Sequence, residues 1–165
     1  MDDVLYAATG LIKLCIERKL TIATAESCTG GLVAGALTEV PGSSAVLDRG
    51  FVTYSDKAKQ QMLGVPAETL DEYGAVSRQT ADAMAQGALE KAKVDLAVSI
   101  TGIAGPGGGS ADKPVGLVHF AAVTRDGTTL HAAKRYGDIG RSAVRHKSVL
   151  QALAMLQELA DKTAV

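Results

Sequence analysis

Four short stretches carry the residue types from which chemistry can be built. Thr24–Gly31 (TAESCTGG) sets a serine, a cysteine and a threonine in a row before two glycines. Tyr54–Lys59 (YSDKAK) places a tyrosine ahead of two lysines. Thr101–Pro114 (TGIAGPGGGSADKP) is glycine-rich, and Arg141–Arg145 (RSAVR) sets two arginines four apart. A serine at a strand-to-helix joint can project into a cleft. Backbone N–H groups there can stabilise an oxyanion or a phosphate, and adjacent glycines leave room for a substrate. The same residues also read as a capped turn, with a strand ending at Ala25 and Ser27 or Thr29 as N-cap.

A serine nucleophile needs a base. His119, His131 and His146 fall in or beside late elements, and no histidine arrangement suits the task. Lysine remains. Desolvation or a neighbouring cation lowers a lysine pKa enough for general-base work, and Tyr54 can steady the proton. The plainer alternative for YSDKAK is a capped helix start with Lys57 and Lys59 in solvent. Cys28 is a second candidate nucleophile, or else a small buried residue. Arg141 and Arg145 share one face at the start of a helix, which suits a phosphate. Surface ion pairing, with Asp138 upstream, is the alternative.

Other patterns fail on context. Gly105, Gly107 and Gly109 invite a dinucleotide reading, but that fingerprint needs a helix after the glycines, and Pro114 and a strand follow. Ser110 and Lys113 match S-x-x-K, but Pro114 disfavours a helical Lys113. The loop remains a candidate site, because ligands of open α/β sheets gather at strand ends and glycines allow close approach.

The elements that must position these residues follow from periodicity. Asp2 or Asp3 caps a helix to about Lys19, and Leu20–Ala25 is a short strand. A helix from Thr29 or Gly30 runs to about Glu39, stopped by Pro41-Gly42. Asp48–Tyr54 is a strand, and Ser55 or Asp56 caps the helix carrying Lys57 and Lys59. Pro66–Tyr73 is a short helix. After Ser77, residues Ala81, Met84, Ala85, Ala88, Leu89 and Ala92 form an amphipathic stripe. Leu96–Ile100 is a buried strand by its continuous apolar run. Val115–Thr124 and Thr128–Tyr136 flank Arg125-Asp126-Gly127 as a hairpin. A last helix spans about Gly140–Asp161. Alternation early and a hairpin late predict one α/β domain over residues 1–165, a three-layer α/β/α sandwich with a mixed sheet.

Bulk properties bound the function. The chain has 165 residues, 47% hydrophobic and 21% charged, which suits one globular, soluble domain with a real core. A net charge of −1 with no basic run argues against nucleic acid as a partner. No apolar stretch is long enough for a bilayer. Two cysteines, Cys15 and Cys28, make no disulfide scaffold, and no signal peptide precedes them, so a reducing cytoplasm is expected. The histidines and cysteines lack metal-ligand spacing.

Taken in order, TAESCTGG, PGSS (Pro41–Ser44), RGFVTYSDKAK (Arg49–Lys59), GAVS (Gly74–Ser77), SITGIAGPGGGSADKPVG (Ser99–Gly116) and AVR (Ala143–Arg145) resemble the CinA C-terminal domain family over most of the chain. Members of that family include amidases that convert nicotinamide mononucleotide to nicotinic acid mononucleotide and ammonia. Larger members carry an extra N-terminal domain, and this chain resembles the stand-alone form. The resemblance implies a serine–lysine amidase with Ser27 as nucleophile, Lys59 as base and Tyr54 as active-site tyrosine. Substrate contacts are expected from Thr29, Gly30, Gly31, Thr101, Gly102 and Gly105, and oxyanion donors from the backbone near Thr29–Gly31. Arg141 and Arg145 are expected at the 5′-phosphate. No metal or cofactor is implied. The expected partners are a small nucleotide substrate and, for an Ala-rich chain with apolar helix faces, a second copy as a homodimer. One departure stands out: the family more often reads GDR ahead of the final VR, whereas Gly137-Asp138-Ile139-Gly140 precedes Arg141 here. Two rival functions remain, a nucleotide-binding or regulatory module without turnover and an amidase or esterase on another substrate.

Overall fold

The computed structural model describes residues 2–163. In chain order the elements are α1 (Asp2–Arg18), β1 (Ile22–Glu26), α2 (Leu32–Thr38), a 3₁₀ turn (Ser43–Ala45), β2 (Leu47–Val52), α3 (Asp56–Leu63), α4 (Ala67–Tyr73), α5 (Arg78–Ala92), β3 (Leu96–Gly102), β4 (Leu117–Thr124), β5 (Thr129–Arg135) and α6 (Arg141–Lys162). The five strands form one sheet in the order β2-β1-β3-β4-β5. β1 runs parallel to both β2 and β3, and β4 and β5 close the sheet antiparallel. The mixed sheet lies between two helical layers, as the alternation predicts.

Period-two alternation divides the core. Ile22, Leu96, Val98, Ile100, Val118 and Phe120 face α1, α2 and α6. Ala23, Ala25, Ala97, Ala121 and Val123 face the layer that holds α5. Large residues thus fill one layer and alanines the other, so α5 lies close to the sheet. The stripe on α5 is buried at Ala81, Met84, Ala85, Ala88 and Ala92. A fully buried leucine such as Leu153 in the larger layer contributes roughly 1.5–3 kcal/mol over its exposed state.

Several boundaries differ from those expected. α1 begins at Asp2, so the aspartates lie inside it. β1 starts later, at Ile22, because Lys19 takes a left-handed conformation (φ 56°) that ends α1 and turns the chain. It also runs one residue further, to Glu26. α2 begins at Leu32 rather than at Thr29 or Gly30, because Gly30 (φ 57°) and Gly31 (φ 104°) lie outside the helical region. Strand order reverses at β1: the chain leaves β1 for β2 on one side and comes back to β3 on the other. In such a sheet the crevice opens beyond the carboxyl ends of the strands at the reversal, here β1 and β3.

Candidate active site

Ser27 is the first residue beyond β1, and its N–H donates to Ile100 O on β3 at 2.9 Å. Lys59 comes from α3, the helix after β2. Its register is set by Ser55, whose hydroxyl accepts from Ala58 N at 3.0 Å. The helix start therefore faces β1's end, and the lysine runs inward instead of into solvent. Lys59 is 2% exposed. Its Nζ lies 3.0 Å from Ser27 Oγ and 3.0 Å from Thr53 O. Lys57, on the same turn, is exposed. Burial holds the Lys59 ammonium below its ordinary pKa, and the Asp56 carboxylate works against that shift. Neutral lysine has a lone pair. With one N–H held by Thr53 O, that lone pair can meet the Ser27 proton.

Cys28 behaves differently. Burial pushes its thiol up to about 11, so it stays protonated and a poor nucleophile.

The turn after Ser27 has most of its backbone carbonyls and two of its N–H groups engaged. Gly30 N donates to Ser27 O at 3.0 Å, and Leu32 N to Thr29 O at 2.9 Å. Arg145 donates from Nε to Cys28 O at 3.1 Å and from Nη2 to Thr29 O at 3.5 Å. Gly31 N donates to the Glu26 carboxylate at 3.2 Å. Among the described residues, the N–H groups of Cys28 and Thr29 are the ones in this turn, residues 28–31, that bond no other residue, and that of Cys28 meets its own thiol. The N–H groups of Gly30 and Gly31 are therefore spent within the protein, whereas those of Cys28 and Thr29 are not bonded to another residue.

A cleft of about 260 Å³ opens over Ser27, lined by Cys28, Tyr54, Gly102, Gly105 and Arg141 among others. Tyr54 is 60% exposed, and its hydroxyl accepts from Arg141 Nη2 at 2.5 Å. Arg141 Nη1 donates to Gly105 O at 2.8 Å, tying the start of α6 to the glycine loop. The cleft thus gathers Ser27, Tyr54, Gly102, Gly105 and Arg141, with Lys59 behind the serine. Thr29, Gly30, Gly31 and Arg145 stand outside its lining. Gly31 and Arg145 line a separate groove of about 520 Å³ between α1, α2 and α6. Thr101 is 1% exposed, and its hydroxyl donates to Ala75 O at 2.8 Å, which fastens β3 to the segment before α5.

Glu26 is the residue that sequence reasoning passed over. Ending β1 at Ala25 left it without a role. The signal was the period-two alternation: Ile22, Thr24 and Glu26 share a face, and Ile22 packs on the side of α2. Ser110 and Lys113 form a turn closed by Lys113 N donating to Ser110 Oγ at 3.1 Å. Among the described residues no cluster of three or more His, Cys, Asp or Glu could hold a metal ion, and no helix is long and apolar enough to cross a membrane.

Comparison with known proteins gives a consistent result. The family model described as "CinA C-terminal domain" matches residues 6–160. A crystal structure of the competence/damage inducible protein CihA from Agrobacterium tumefaciens superposes with a TM-score of 0.94 at 58% identity, covering 95% of each chain. A nicotinamide-nucleotide amidohydrolase PncC from Enterobacter agglomerans is 53% identical over 133 residues, 80% of this chain and 80% of that protein. A CinA-like protein from Synechococcus sp. is 48% identical over 156 residues, 94% of this chain but 37% of its own length. The chain spans little more than a third, 36–38%, of several such curated relatives.

Proposed function

Since this chain belongs to the CinA C-terminal domain family, we propose that it hydrolyses the carboxamide of nicotinamide mononucleotide, giving nicotinic acid mononucleotide and ammonia. The observation that carries this reading is the buried Lys59 Nζ at 3.0 Å from Ser27 Oγ. The relative named nicotinamide-nucleotide amidohydrolase supports the substrate.

Neutral Lys59 takes the proton of Ser27 as Oγ attacks the carboxamide carbon. The carbonyl oxygen becomes a tetrahedral oxyanion beside Cys28, the residue of this turn that lines the cleft and whose N–H group can stabilise the charge. Lys59 returns the proton to the leaving nitrogen, the C–N bond breaks and ammonia departs. Water then attacks the acyl-serine, with Lys59 again as base, and Ser27 is restored. The cleft, about 260 Å³, lies just under the roughly 300–1,000 Å³ usual for ligand pockets. It suits the ring end of a mononucleotide and leaves the sugar and phosphate over the rim at Arg141. Arg141 keeps N–H groups beyond those given to Tyr54 and Gly105, and these suit a 5′-phosphate.

The test is ammonia release from nicotinamide mononucleotide by the wild type, Ser27→Ala and Lys59→Ala. Release by the wild type alone is expected. No release from a folded wild type would move the weight to a binding role or to another amide.

A further inference from the structure

β1 ends on a carboxylate that has no exposure to solvent. Glu26 is 0% exposed. Its Oε1 accepts from Gly31 N at 3.2 Å and Val33 N at 2.9 Å, and its Oε2 accepts from Ala34 N at 3.0 Å. All three donors belong to the start of α2, whose first N–H groups have no partner within the helix. Such groups are ordinarily met by a hydroxyl just upstream. Ser27 and Thr29 are the hydroxyls available, and neither acts. Gly31, the cap position, receives no side-chain cap from its own residue. Thr29 Oγ1 is buried with no partner among the described residues, and Ser27 Oγ is bonded to Lys59.

We propose that Glu26 is a positioning residue: by capping α2 from the end of β1 it keeps the Ser27 hydroxyl on Lys59 and holds the turn that follows. This rests on Ser27 being the nucleophile. Without the carboxylate, the orphaned N–H groups of α2 compete for Ser27 Oγ. A hydroxyl that caps a helix is turned away from the base and loses reactivity.

The experiment reads Ser27 directly, apart from any substrate. Wild type and Glu26→Gln are treated with phenylmethylsulfonyl fluoride, and the rate of sulfonylation at Ser27, with fluoride leaving, is followed by peptide mass spectrometry. Thermal unfolding is recorded in parallel. Glutamine keeps the shape but sets an amide nitrogen against N–H donors. The variant is expected to stay folded and to label about 10- to 100-fold more slowly, the loss of one charge-assisted hydrogen bond's worth of positioning. Its kcat on nicotinamide mononucleotide should fall by the same factor at little-changed KM. Glu26→Asp, which keeps both oxygens on a shorter side chain, should recover part of the rate. A folded Glu26→Gln that labels at the wild-type rate overturns the proposal, even if its melting temperature drops. If Glu26→Gln does not fold, Glu26→Asp is read in its place, and a wild-type rate there also overturns it. Wild-type protein that is never labelled at Ser27 removes the nucleophile, and this role with it. Slower labelling in the variant alongside a wild type inert towards the nucleotide upholds Glu26 while the proposed substrate fails.

Discussion

At the start of α3, Ser55 accepts from Ala58 N and its hydroxyl is committed to the helix. Ser77 does the same for α5, accepting from Thr80 N at 3.1 Å. At the start of α2 a serine also stands in the preceding joint, yet the cap comes from Glu26 and the serine bonds Lys59. A serine stands at each of the three joints, and the one before α2 alone among them is not spent on its helix. A serine ahead of a helix is available for chemistry when another group has taken over the N–H donors it would otherwise serve. At α2 the cap reaches forward from the neighbouring strand, and a lysine from the next βα unit occupies the released hydroxyl.

The contrast is broken most severely by removing the released serine or its base. Ser27→Ala and Lys59→Ala should each lower kcat for nicotinamide mononucleotide about 10³-fold or more, measured by ammonia release. Activity that survives in Ser27→Ala would break the comparison at its root. The two arginines sharpen it next. Arg141 lines the cleft, whereas Arg145 holds the carbonyls of Cys28 and Thr29 from outside it. Arg141→Ala should raise KM for the nucleotide about 10- to 100-fold, with hydrolysis of the phosphate-free riboside little affected. Arg145→Ala should instead lower kcat on both substrates, because it loosens the turn. Equal KM effects from the two variants would place both guanidiniums on the phosphate. Ser55 supplies the quieter arm. Ser55→Ala should cost about 1 kcal/mol of stability, a fall in melting temperature of roughly 2–4 °C for a chain of this size, seen by calorimetry.

What the sequence made legible is what periodic burial encodes. β3 was readable because both of its faces are covered, so its apolar run is continuous. α5 was readable because its inward stripe recurs at helical spacing, and the β4–β5 hairpin because Arg125-Asp126-Gly127 turns it. Ser27, Tyr54 and Lys59 could be nominated because their motifs sit at joints, and the family resemblance then chose Lys59 over Lys57. The less legible parts depend on tertiary partners. No local spacing relates Lys59 to Thr53 O, Thr101 to Ala75 O or Arg145 to Cys28 O. The start of α2 was misplaced because two glycines with positive φ lengthen the turn. Glu26 was missed because its cap leaves from a strand that reading had ended one residue early.

The smallest expected effect is electrostatic and concerns the base. Asp56 lies in the first turn of α3, and its charge opposes the burial that lowers the Lys59 pKa. Lys59 must be neutral to accept the Ser27 proton, so kcat/KM should rise with pH as the ammonium titrates. That acid limb is expected below the ordinary lysine value of about 10.4. Asp56→Asn removes a charge that favours the ammonium. The Lys59 pKa then falls further, and the limb moves to lower pH with its plateau unchanged. Lys57, exposed on the same helix, is the control: Lys57→Gln should leave the limb in place, since Lys57 is not among the groups that shift Lys59. A limb that stays fixed or moves to higher pH in Asp56→Asn would mean that the titrating group is not Lys59. The released serine would then answer to a different base.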